Sequence, residues 1–117
     1  NILAATRDLS RTALEKAAVL AEAQTVLRNT HATLSSAFSQ AAILRDRGIP
    51  EAKRTYEGAR DGYQRGLFRY LEVLDAQRTM FELRSAYLDA VDLYYQSASE
   101  LVRWAAASAD ETPIEKE

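Results

Sequence analysis

From Ile2 to Arg47 the chain contains neither Gly nor Pro. A run of that length offers no cheap place to turn, because the two residues that set tight turns are missing. Within it Ala13, Ala17, Leu20, Leu27, Leu34, Phe38 and Ala41 recur at steps of three and four or their sums, the spacing of one long amphipathic helix. Gln24 and His31 occupy the remaining positions of that stripe, and the four-then-four step from Leu9 through Ala13 to Ala17 is a stutter in the heptad count. A stutter locally relaxes a left-handed supercoil.

The whole chain of 117 residues has 4 Gly and 2 Pro, and its turn signals cluster only between Arg45 and Arg69. An all-β chain would need one roughly every 8–12 residues, and the 21 Ala favour helix. At the start of the cluster, Gly48 suits a left-handed cap and Pro50 a first helical position, which predicts helices over about 2–47 and 50–64 with a kink or break at Gly48–Pro50. Gly62-Tyr63-Gln64-Arg65-Gly66 then reads as a hairpin tip, since both glycines are free to take positive φ.

Beyond the tip, Leu67, Leu74, Phe81, Leu88, Tyr95 and Val102 fall at strict sevens, with Val73, Met80, Tyr87, Tyr94 and Leu101 in a second row beside them. This predicts a third helix over 67–107. Two adjacent rows, with Val91 and Ala98, are wider than a two-stranded seam requires. Leu74, Met80, Phe81, Tyr87, Leu88, Tyr94 and Tyr95 are therefore the expected packing residues, and one of the rows has no partner inside the chain. Such a row implies self-association or neighbours from elsewhere. At about 1.5 Å per residue the first and third helices would be roughly 70 and 60 Å long. The expected fold is all-α, a long antiparallel hairpin over 1–107, followed by a solvated polar tail over 108–117.

With 15 Lys and Arg against 17 Asp and Glu, the chain lacks the positive excess that a phosphate backbone demands, which argues against nucleic acid. No Cys is present, which excludes disulfides and thiolate metal sites. No apolar stretch reaches the length of a membrane-spanning helix, and no charged start followed by an apolar run marks a leader.

Catalytic chemistry finds no foothold. His31 is the sole His, and a bundle metal site built on Glu-x-x-His would need Glu where Arg28 stands. Ser35, Ser36 and Ser39 have no evident base. The Gly62–Gly66 segment lacks the Gly-Lys-Ser/Thr ending of a phosphate loop and follows a helix. No enzyme activity, metal or cofactor is expected.

Two charge patterns remain. Glu72, Asp75, Thr79, Glu82, Ala86 and Asp89 share a mostly acidic face at three-four spacing; it reads as solvated surface or, in an assembly, as the wall of an aqueous cation path. Arg45 to Arg69 holds seven basic and four acidic residues, either a solvated loop region or a docking surface for an acidic partner.

Gly62-Tyr63-x-x-Gly66 followed by Leu71-Glu72-Val73-Leu74-Asp75-Ala76-Gln77-Arg78, then Tyr87-Leu88-Asp89-Ala90 and Ser99-Glu100-Leu101-Val102-Arg103, resembles the second-repeat helical hairpin of TolC-like outer-membrane efflux factors. The order and spacing are most similar to the outer components of heavy-metal exporters of the cobalt/zinc/cadmium type, from Asn1 to about Ala105. The resemblance implies one periplasmic piece of a homotrimeric channel in the Gram-negative outer membrane. Such a channel is a passive conduit that meets a periplasmic adaptor and, through it, an inner-membrane pump. It further implies that Gly62, Tyr63, Gly66 and Leu67 form an adaptor-docking tip and that Tyr63, Glu72 and Asp75 line and gate the aperture. It also implies a first helix that runs unbroken toward the tip. The chain has no β-strand pattern of its own, so on this reading it is a fragment that does not itself span a membrane. The alternative from another class is a stand-alone coiled-coil scaffold whose exposed apolar row binds a partner helix.

Overall fold

The computed structural model describes residues 1–110. Helix α1 (Ile2–Ile43), a single π turn (Leu44–Gly48), α2 (Ile49–Gln64) and α3 (Tyr70–Asp110) follow in that order, with no strand among the described residues. The first three form one continuous rod. α3 returns antiparallel along it, so the molecule is the expected all-α hairpin, 92 × 34 × 14 Å in extent.

The rod does not stop at Gly48 and Pro50. Gly48 is right-handed, with φ −61° and ψ −52°, not the left-handed cap that its type suggested. A proline inside a regular helix removes a hydrogen bond and drives its ring into the carbonyl four residues back. Here the turn just before Pro50 is widened instead, and the Ile49 N–H donates to the Leu44 carbonyl five residues back. The helix thus passes the proline without a break.

At its other end the rod reverses between Arg65 and Arg69, and α3 begins at Tyr70 rather than at Leu67, because Leu67, Phe68 and Arg69 are used in the reversal. α3 extends through Ser108, Ala109 and Asp110. Residues 111–117 of the expected tail lie outside the described residues.

Small residues hold the two rods together. On α3 the seam is Val73, Met80, Tyr87, Tyr94 and Leu101, interleaved with Ala76, Leu83, Ala90 and Ser97. The residues opposite are Ala23, Thr30, Ala37 and Leu44 at sevens, then Ala52, Ala59 and Gly62 beyond the turn. Among the described residues, four of the six buried apolar ones are Ala, and a methyl group contributes only about 0.8 kcal/mol on burial. Short side chains on the first rod thus leave room for Met80, Tyr87, Tyr94 and Leu101 of α3.

The apolar stripe read on α1 was out of phase with this seam. Leu20 is 64% exposed, and Gln24 and His31 are also exposed, whereas Thr30 and Ala37 are buried. Close packing selects short side chains for the contact line and pushes Leu20, Leu27 and Phe38 to its flanks. Asn1 to Glu22 is exposed throughout, since α3 runs back only along α2, the π turn and the later part of α1. No helix among the described residues is long and apolar enough to cross a membrane.

Candidate functional site at the hairpin tip

Local backbone rules build the tip. α2 ends in a Schellman motif: the Leu67 N–H donates to the Gly62 carbonyl at 2.8 Å and the Gly66 N–H to the Tyr63 carbonyl at 3.0 Å. Gly66 occupies the left-handed position at φ +76°. Gly62 does not share that role, being helical and buried; a Cβ there would overlap the Phe68 ring. One glycine therefore supplies a conformation and the other supplies room.

α3 is started by its own third residue. The Glu72 carboxylate accepts from the Arg69 N–H at 3.0 Å, the return half of a capping box. Glu72, singled out for an aperture, thus has a structural task at the helix start. Tyr63 packs against Tyr70 with ring centroids 5.3 Å apart, tilted 55°, while Leu67 projects outward at 71% exposure.

Beside the reversal lies an open groove of about 600 Å³ between α2 and α3. Thr55, Gly58 and Ala59 line it from α2; Phe68, Glu72, Asp75, Ala76 and Thr79 line the other side. Glu72 and Asp75 share its wall, whereas Tyr63 and Leu67 lie outside it. Phe68 escaped the sequence reading as a site residue. No motif rule singles it out: a Schellman motif places its apolar contact at the position of Leu67, which is 71% exposed here, and Phe68 one residue later fills the space beside Gly62.

Along α3 the seam divides the exposed surface into two flanks. Glu72, Asp75, Thr79, Glu82 and Asp89 are exposed on one, with Ala86 half-buried among them. Leu74, Phe81, Leu88, Tyr95 and Val102 are exposed on the other. Met80, Tyr87 and Tyr94 face the first rod, where Tyr94 packs on Phe38 at 5.9 Å, and the Tyr94 ring also meets its neighbour Tyr95 on α3 at 5.5 Å. At the π turn, Arg45 donates to Asp46 at 2.9 and 3.3 Å, and this hydrogen bond holds the Asp46 carboxyl below its ordinary range. Among the described residues, no three His, Cys, Asp or Glu side chains cluster closely enough to hold a metal ion. The tip offers shape, charge and the aromatic rings of Tyr63, Phe68 and Tyr70.

No family model matches the chain, and no solved structure does. It is similar to the cobalt-zinc-cadmium resistance protein CzcC of Cupriavidus metallidurans, with 39% identity over 70 residues. That match takes in 60% of this chain and 17% of the relative, so the chain spans only a small part of the protein it resembles.

Proposed function

We propose that this hairpin is a periplasmic segment of an outer-membrane efflux channel that passes heavy-metal cations and has no catalytic activity. The likeness to a cobalt-zinc-cadmium resistance protein supports the class. The observation that carries the reading is the division of α3 into an apolar flank from Leu74 to Val102 and an acidic flank from Glu72 to Asp89. In a ring of hairpins, a homotrimer in the whole protein, the apolar flank would meet a neighbour and the acidic flank would face water. A row of carboxylates there raises the local cation concentration.

On this reading Gly62, Tyr63, Gly66 and Leu67 dock a periplasmic adaptor, which joins the channel to an inner-membrane pump that supplies the energy. Tyr63, Glu72 and Asp75 line the aperture, and small rotations of the hairpin open it. Glu72 also caps α3, so charge is best tested elsewhere on the flank. In the full-length channel reconstituted in a planar bilayer, Asp75→Asn with Glu82→Gln should lower cation selectivity and weaken block by divalent metals. Unchanged selectivity and block would remove the acidic flank from the conduction path.

A further inference from the structure

We propose that Pro50 is a latch that holds the π turn at Leu44–Gly48 and so keeps α2 in phase with α3. The rod carries one residue more than its seam needs. Thr30, Ala37 and Leu44 face α3 at steps of seven, and Ala52 and Ala59 resume that step, but Leu44 to Ala52 is eight. A regular α-helix would turn the extra residue into a rotation of roughly 100° and take Ala52 and Ala59 off the contact line. The π turn absorbs it, closing with the bond from the Ile49 N–H to the Leu44 carbonyl.

An inserted turn of this kind can travel along a helix by exchanging one hydrogen bond at a time, and each residue that it passes rotates about the axis. Movement toward α1 would rotate Leu44 and then Ala41 away from α3, against the packing of the seam. Movement the other way would take Ala52, Ala59 and Gly62 off the contact line, where Val73, Ala76 and Met80 are buried beside them. Pro50 closes that direction. If the wide turn moved past it, the residues before Pro50 would take regular α geometry, and the ring would collide with the carbonyl of Asp46. This inference stands on the seam alone and does not depend on the efflux reading.

The test uses the full chain, which has no Cys of its own, with spin labels on two exposed pairs. Glu57→Cys with Arg78→Cys reports on α2 against α3, and Asn29→Cys with Arg103→Cys reports on α1 against α3. The parent should give one distance for each pair. Adding Pro50→Ala should split the tip-side pair into two distances, shifted by roughly 8 Å for a side chain turned through about 100° at the helix surface, while the α1 pair stays single. Deleting Asp46 in the Pro50→Ala background removes the extra residue and should restore one tip-side distance. A single unchanged distance in Pro50→Ala, splitting of both pairs, or failure of the deletion to restore one distance would each overturn the latch.

Discussion

A Cβ placed on Gly66 would enter open space, yet its φ of +76° is one that side chains disfavour; Gly62 has an ordinary helical backbone but no room for a Cβ beside Phe68. The two sites should therefore respond differently to the same change. Gly66→Ala should cost about 1–2 kcal/mol whatever stands at position 68. Gly62→Ala should cost about 1–3 kcal/mol through overpacking, and Phe68→Ala should relieve part of it, with a coupling above about 0.5 kcal/mol in a double-mutant cycle. Urea unfolding of the four variants decides; additive costs at Gly62 and Phe68 would show that the ring does not sit in the glycine's place. Glu72 separates in the same manner. Glu72→Gln keeps an oxygen for the Arg69 N–H and should leave the unfolding midpoint nearly unchanged, whereas Glu72→Ala should lose about 1 kcal/mol. Gly66 was legible in the sequence because only backbone freedom was at stake. The contact between Gly62 and Phe68 was not, since it depends on where the chain goes after it turns.

At the scale of elements, α3 was readable because its row of Val73, Met80, Tyr87, Tyr94 and Leu101 keeps strict sevens with large side chains. On α1 the three-four spacing of apolar residues marks a line beside the true one: Leu20 and Leu27 are exposed, and Thr30 and Ala37 are the seam. Close approach of two helices reverses the usual ranking, since a short side chain on one rod makes room for a long one on the other. Gly48 and Pro50 misled for a different reason. Locally they spell a helix end and a helix start, and only the step of eight between Leu44 and Ala52, visible once the α3 seam is known, shows that the helix continues. The seam assignment carries its own test. Ala37 is 1% exposed, so Ala37→Leu should destabilise the hairpin by about 1–3 kcal/mol. Leu88, 65% exposed, should tolerate Leu88→Ala within about 0.5 kcal/mol in dilute solution. Thermal unfolding at low protein concentration measures both, and a larger loss at Leu88 than at Ala37 would put the seam on the wrong row.

The whole molecule is a rod 92 Å long and 14 Å across its thinnest direction, and a body of that shape cannot enclose its own apolar residues. Leu74, Phe81, Leu88, Tyr95 and Val102 are between 40% and 67% exposed along one flank, a continuous strip of the kind that single-chain proteins in water rarely leave open. The isolated chain should therefore self-associate, with helicity and sedimentation both depending on concentration. The charged flank makes the control: if association uses the apolar strip, Phe81→Gln with Leu88→Gln should weaken it, whereas Asp75→Asn with Glu82→Gln should not. Removing two large side chains from a contact costs a few kcal/mol at about 25 cal/mol per Å², and each 1.4 kcal/mol is about tenfold in the dissociation constant. The apolar pair should thus raise that constant at least about tenfold in sedimentation equilibrium, with the monomer still helical by circular dichroism. Equal weakening by both pairs would mean that the copies meet around the whole rod, and α3 would then have no wet face to offer a passing cation.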